Sequence, residues 1–157
     1  MYTQILTPVD GSGPSEAALR HAVRLAKEQG ARMRIVHVIQ DPYWYYAAGD
    51  VSGVDIAAIE RAWRETGRAV LEASAAIARE GGADPELALL EEPGRATCDA
   101  LVDEASRWGA DLIVMGTNGR HGVEHLLLGS VAEGVVRLTT VPVLLLRTGH
   151  EGRRAHA

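Results

Sequence analysis

The feature that most constrains this chain is a regular alternation of short apolar runs with longer segments of helical period. The apolar runs are rich in Val, Ile and Leu, as buried strands are. They lie at Ile5–Val9, Met33–Ile39, Leu87–Leu90, Leu112–Met115 and Val141–Leu146. A helical pattern separates each run from the next, and such alternation is typical of a parallel sheet covered by helices on both faces. The predicted fold is a three-layer α/β/α domain around a five-stranded parallel sheet.

Serine, glycine and proline residues predict where helices and strands begin and end. The first helix is predicted to begin at Ser12 or Gly13 as N-cap, with Pro14 in its first turn and Gly30 as its stop. Pro142 cannot donate a ladder hydrogen bond, so the last run is predicted to be an edge strand that begins there.

Bulk composition narrows the class of protein. With 157 residues, 46% of them hydrophobic and 24% charged, the chain suits one domain, predicted over residues 1–148 with a polar tail at 149–157. No stretch predicts a signal peptide or a membrane span, and the lone Cys98 fits a reducing cytoplasm. A formal charge of −5 argues against a general nucleic-acid binder.

A glycine-rich stretch follows the fourth apolar run. It reads GTNGRHGVEHLLLGS, so two residues separate Gly116 from Gly119, and nine residues separate Gly119 from Gly129-Ser130. Glycines between a strand and a helix let main-chain N–H groups and the positive end of the helix dipole converge on an anion. Arg120 would add positive charge. The stretch predicts a phosphate-binding loop.

A strand order of 3-2-1-4-5 would bring two unusual strand ends to one crevice, where open parallel sheets bind ligands. These ends are Pro8-Val9-Asp10 and Met115-Gly116. Asp10 has two interpretations: a carboxylate that accepts hydrogen bonds from ribose hydroxyls or the base, or an Asp that helps to cap the first helix at Ser12–Ser15. Ser130 has two as well, because Ser130 and Glu133 also match a capping box that needs no ligand.

Four segments resemble one known family. PVDGS at 8–12, HVI at 37–39, VMGTNGR at 114–120 and LLLGSVAEGVVRLTTVPVLLL at 126–146 are similar to the universal stress protein family. The resemblance covers about residues 1–148. It implies a Rossmann-like fold of the adenine nucleotide alpha hydrolase-like type. The spacing G-x₂-G-x₉-G-S marks the ATP-binding branch of that family.

The resemblance also implies roles for particular residues. Adenosine would be bound by residues after the first two strands, and ribose and phosphates by the fourth strand end, the glycine loop and the start of the last helix. The implied binding residues are Pro8, Val9, Asp10, Val38, Met115, Gly116, Gly119, Arg120, Gly129, Ser130 and Val131. Mg²⁺ or Mn²⁺ would bridge the phosphates, and a homodimer would pair through Val141 to Leu146.

The favoured function is an ATP-binding stress-response switch or chaperone-like module. One alternative is a slow ATPase or nucleotide hydrolase, although Asn118 and Arg120 near the expected phosphates offer no evident base. Another is an interaction module that binds AMP or no nucleotide. A thermal-shift series with adenine nucleotides separates these hypotheses.

Three features stand apart from the predicted site. His121 and His125 could share a helical face as metal ligands, but no third ligand is apparent, and solvated loop residues are the favoured interpretation. The aromatic run Tyr43 to Tyr46 is expected to pack on its own domain or a partner, with a nucleotide lid as the alternative. Cys98 is expected to be inert.

Overall fold

The computed structural model describes residues 1–40, 55–117 and 128–147. Strands and helices alternate along these residues as the sequence predicts. They are β1 (Gln4–Pro8), α1 (Gly13–Gln29), β2 (Arg32–Val38), α2 (Ile56–Glu80), β3 (Glu86–Leu90), α3 (Thr97–Trp108), β4 (Leu112–Gly116), α4 (Ser130–Leu138) and β5 (Val143–Leu146). All strand pairs are parallel, and the order β3-β2-β1-β4-β5 confirms the predicted sheet.

Alternate residues of each central strand enter two separate hydrophobic cores. Ile5 packs with α1 and α2 on one face of the sheet, whereas Leu6 packs with α3 and α4 on the other. Ile113 and Val114 likewise point to opposite cores, and both are fully buried. The three-layer α/β/α arrangement follows from this strict period of two in strands that are apolar on both faces.

The last strand is less covered than its continuous apolar sequence predicts. β5 pairs only with β4 among the described strands, and each residue from Val143 to Leu146 is half-buried. Pro142 directly precedes the strand, and its carbonyl accepts from Ile113 N at 2.9 Å. The edge position predicted from Pro142 is therefore confirmed.

Asp111, which directly precedes β4, forms hydrogen bonds with residues at the start of β1. Its two carboxylate oxygens accept from Thr3 N at 2.7 Å, Thr3 Oγ1 at 2.7 Å and Gln4 N at 2.9 Å. Burial alone would raise the pKa of the Asp111 carboxyl, but these hydrogen bonds outweigh burial and hold it below its usual value. These hydrogen bonds hold the beginning of β4 beside β1, where the strand order reverses.

Two of the predicted helix ends have the expected chemistry. Ser12 is the N-cap of α1 and its hydroxyl accepts from Ser15 N at 3.3 Å, while Gly30 ends the helix with a left-handed φ of 65°. The interpretation of Ser130 and Glu133 as a capping box is wrong. Gly129 is the N-cap of α4, Ser130 is the first helical residue, and Glu133 N donates to the Gly129 carbonyl at 2.9 Å.

Several predictions fall on residues 41–54, 118–127 and 148–157, outside the described residues. They concern the aromatic run Tyr43 to Tyr46, Gly119, Arg120, the histidines His121 and His125, and the polar tail. Within the described ranges, no helix combines the length and apolarity that a membrane crossing requires.

Candidate functional site

A cavity of about 670 Å³ opens at the carboxyl end of the sheet, where the strand order reverses between β1 and β4. Its volume is typical of a small-molecule site. Nine residues of the predicted site line it. They are Pro8, Val9, Asp10, Val38, Met115, Gly116, Gly129, Ser130 and Val131. The fold thus brings together sequence segments that are more than 100 residues apart.

The turn after β1 presents Asp10 to this cavity. Asp10 Oδ1 accepts from Ser12 N at 2.9 Å, and Asp10 N donates to Ser15 Oγ at 3.4 Å. Gly11 between them has a left-handed φ of 78°, which glycine adopts without strain. Asp10 therefore helps to cap the start of α1, whose N-cap is Ser12, as the second interpretation predicts. Asp10 also lines the cavity.

The end of β4 and the start of α4 are joined directly. Gly129 N donates to the Thr117 carbonyl at 2.7 Å, and Thr117 N donates to the Leu146 carbonyl at 2.9 Å. These two bonds hold Thr117 beside Gly129, and Gly116 and Ser130 both line the cavity. Because the N-cap Gly129 has no side chain, it cannot satisfy the free N–H groups of the first turn of α4. These groups and the helix dipole suit an anion.

Gly116 meets a packing constraint that the sequence did not predict. It is not among the glycines with positive φ, so it does not serve a left-handed conformation. A Cβ there would lie 2.9 Å from the Pro14 carbonyl oxygen and 3.0 Å from the Pro14 carbonyl carbon. Close packing of β4 against the first turn of α1 is therefore what excludes a side chain at Gly116.

Residues of α2 and α3 that line the cavity were not predicted from the sequence. Trp63 and Thr66 of α2 line the cavity, as does Thr97, the first residue of α3. Thr97 could have been found, since a helix that follows a parallel strand begins at the carboxyl edge of the sheet. The contribution of Trp63 depends on how α2 packs over β2, which helical period alone does not give.

The described part of the cavity wall carries little formal charge. Among the described residues that line the cavity, Asp10 is the one with a carboxylate, and none is a lysine or an arginine. Within the same ranges, no group of three His, Cys, Asp or Glu side chains could hold a metal ion. Main-chain N–H groups and helix ends are thus the donors available to an anionic ligand on these walls.

Sequence comparison assigns the chain to a family. Residues 1–147 match the model of the Universal stress protein family. The chain belongs to the universal stress protein family. A universal stress protein of Methanocaldococcus jannaschii is 34% identical to it over 154 residues, which cover 94% of this chain and 83% of the relative. The resemblance inferred from the four motif segments is confirmed at the level of the family.

Solved structures of universal stress proteins share this fold. One from Archaeoglobus fulgidus, in complex with dAMP, is 30% identical, with a TM-score of 0.64, and the match covers 92% of this chain and 97% of that chain. Another universal stress protein, solved in complex with cAMP, is 27% identical, with a TM-score of 0.67 and coverage of 94% and 98%. Those two proteins each bind an adenosine monophosphate derivative.

Proposed function

We propose that this universal stress protein binds adenine nucleotides, ATP foremost, in the cavity at the strand-order reversal. The observation that carries the proposal is one cavity lined both by Asp10 and by the N-terminus of α4, whose N-cap Gly129 has no side chain. A carboxylate suits ribose hydroxyls, and a helix N-terminus suits phosphate. The relatives that bind dAMP and cAMP support the adenine nucleotide class.

The base would lie against the main chain at the end of β2. Pro8, the last residue of β1, is in register with Val36, whereas Val38 is in register with Leu90 of β3. β2 therefore continues two residues beyond the point where β1 ends. On the side that faces β1, its last residue Val38 has no β1 strand partner and lines the cavity. Val38 can offer one N–H and one carbonyl to the edge of adenine there.

The remaining predicted residues would hold the ribose and phosphates. Met115 and Gly116 lie at the β4 end, while Ser130 and Val131 begin α4. Gly119 and Arg120 of the glycine loop complete the predicted phosphate set. Mg²⁺ or Mn²⁺ would be carried by the phosphate oxygens, since the described residues offer no metal cluster of their own.

The proposed role is that of a nucleotide-dependent switch or chaperone-like module in the cytoplasm, with residues 1–148 as its one domain. Hydrolysis needs an oriented water and compensation of developing charge. Among the described residues that line the cavity, Asp10 is the carboxylate, and the proposal assigns it to the ribose and not to the phosphates. We therefore expect binding without appreciable turnover.

A thermal-shift series with ATP, ADP, AMP and cAMP, each with and without Mg²⁺, tests the proposal. A ligand at 100 times its dissociation constant adds about 2.7 kcal/mol of stability. For a domain of this size that corresponds to a rise in Tm of roughly 5–10 °C. Absence of any shift with all four nucleotides at millimolar concentration would refute nucleotide binding.

Two serines at helix starts provide matched variants for the same assay. Ser130→Ala is expected to weaken ATP binding about tenfold (~1.4 kcal/mol) with unchanged Tm of the free protein, because Ser130 is not a cap. Ser12→Ala removes a true N-cap and is expected to cost about 1 kcal/mol of stability with little change in affinity. If Ser130→Ala left ATP affinity unchanged, the assignment of α4 to the phosphates would be wrong.

We further propose a homodimer that pairs through β5. Even-numbered residues of β5 bond to β4, as Leu146 O does with Thr117 N, so the main-chain groups of Val143 and Leu145 lie on the open edge. An unpaired apolar edge is a template for a second strand.

Leu145→Pro, which removes an N–H from that open edge, is expected to weaken dimerisation at least tenfold in sedimentation velocity runs. Leu145→Ala loses the same side-chain packing but keeps the N–H, and it should remain dimeric. A wild-type monomer at micromolar concentration, or equal dimerisation of both variants, would exclude this interface.

A further inference from the structure

His37 is a buried imidazole in the cavity wall that the proposed ligand contacts do not use. It lies on β2, is 9% exposed, and its Nδ1 is 2.7 Å from the Val9 carbonyl oxygen. The ring packs on α2 at Gly67, where an added Cβ would lie 3.1 Å from His37 Cδ2. A carbonyl can only accept, so this geometry assigns the proton to Nδ1 and leaves Nε2 as an acceptor in the neutral ring.

The imidazole takes the place of a backbone hydrogen bond at the end of the β1–β2 ladder. Val9 N donates to Val36 O at 2.8 Å, which is the last regular rung. In a continued parallel ladder the Val9 carbonyl would next accept from Val38 N. It accepts from His37 Nδ1, so its direction is fixed by a side chain of β2 while the chain turns into Asp10.

We propose that His37 is a positioning residue of the nucleotide site. Through Nδ1 it fixes the Val9 peptide, which sets where Asp10 meets the ribose and frees the Val38 N–H for the base. Gly67 makes the space in which the ring can do so. This inference rests on the proposed nucleotide binding and adds a residue whose effect is exerted through Val9 and Asp10.

A pair of amide variants isolates the Nδ1 hydrogen bond. The asparagine side-chain nitrogen is as many bonds from Cβ as His Nδ1, whereas the glutamine nitrogen corresponds to Nε2. By calorimetric titration with AMP and with ATP plus Mg²⁺, we expect His37→Asn to stay within about threefold of wild-type affinity. His37→Gln should lose about tenfold. Equal affinities of the two variants, whether high or low, would overturn the proposal.

The tautomer of His37 in the wild-type protein provides a second measurement that needs no variant to fold. In ¹⁵N-histidine NMR spectra, the proton is expected on Nδ1 both without nucleotide and with saturating AMP. A proton on Nε2 alone in either state would overturn the proposal. Failure of wild-type protein to bind any nucleotide would instead refute the proposed function, while the tautomer would still report on the His37–Val9 bond.

Discussion

Replacing Glu104 with alanine is expected to lower the free energy of unfolding by about 3 kcal/mol. Glu104 is 4% exposed on α3, and its carboxylate accepts from Arg34 Nη1 and from Arg107 Nη1, the latter at 3.0 Å. Burial lowers the pKa of Arg34, but its hydrogen bonds to Glu86 and Glu104 raise the pKa by more. The Arg34 side chain is only 23% exposed, and Glu86 and Glu104 are the two carboxylates that pair with its guanidinium. Removal of Glu104 would leave that charge paired with Glu86 alone.

Urea denaturation at pH 7 measures the loss, and Glu16→Ala is the matched control. Glu16 pairs with Arg20 at 2.9 Å on the surface of α1, where both side chains are about half exposed, so its removal should cost no more than about 1 kcal/mol. Arg34 also lies over the Trp108 ring at 5.0 Å, near the amino end of β2 and away from the cavity. Nucleotide affinity of Glu104→Ala should therefore be unchanged. Equal stability of the two variants would show that the buried carboxylate contributes nothing special.

The sheet was predictable because each central strand carries its own evidence of burial on two faces. Ile113 and Val114 are adjacent and both apolar, as is typical of a strand covered on both sides, and both are fully buried. β5 carries the same signal, yet its residues are half-buried because the described sheet ends there. The pattern of apolar residues in a strand predicts which side chains are shielded from water. It does not predict whether a helix of the same chain or another protein surface shields them.

The residues that line the candidate site were predictable where their placement depends on topology and less so where it depends on packing. Asp10 and Gly116 meet at one cavity because parallel strands end at the same edge. The capping-box interpretation of Ser130 is wrong because that motif requires Ser130 to be the N-cap. The helix begins one residue earlier, with Gly129 as its N-cap. His37 gave no distinct signal, since a histidine in an apolar strand does not reveal which carbonyl lies 2.7 Å away.

Gly116→Ala is expected to destabilise the protein by about 2 kcal/mol, and Gly116→Val by about 3 kcal/mol. The atoms that a Cβ would meet belong to the Pro14 main chain, at 2.9 and 3.0 Å, and not to a side chain that could rotate away. Pro14 lies in the first turn of α1, whose start is fixed by the Ser12 cap. Relief of the contact would require β4 or α1 to move as a unit, against a closely packed core.

Gly13→Ala is the control for this effect, because Gly13 precedes Pro14 and an added Cβ would meet no atom of the described residues within 4 Å, its immediate neighbours in the chain apart. It should leave stability unchanged or raise it slightly, since alanine reduces the freedom of the unfolded chain. Denaturation of nucleotide-free protein is the deciding measurement, because loss of ATP binding by Gly116→Val follows from the packing defect alone. If Gly116→Ala were as stable as wild type yet lost ATP affinity, Gly116 would instead be required for direct approach of a phosphate.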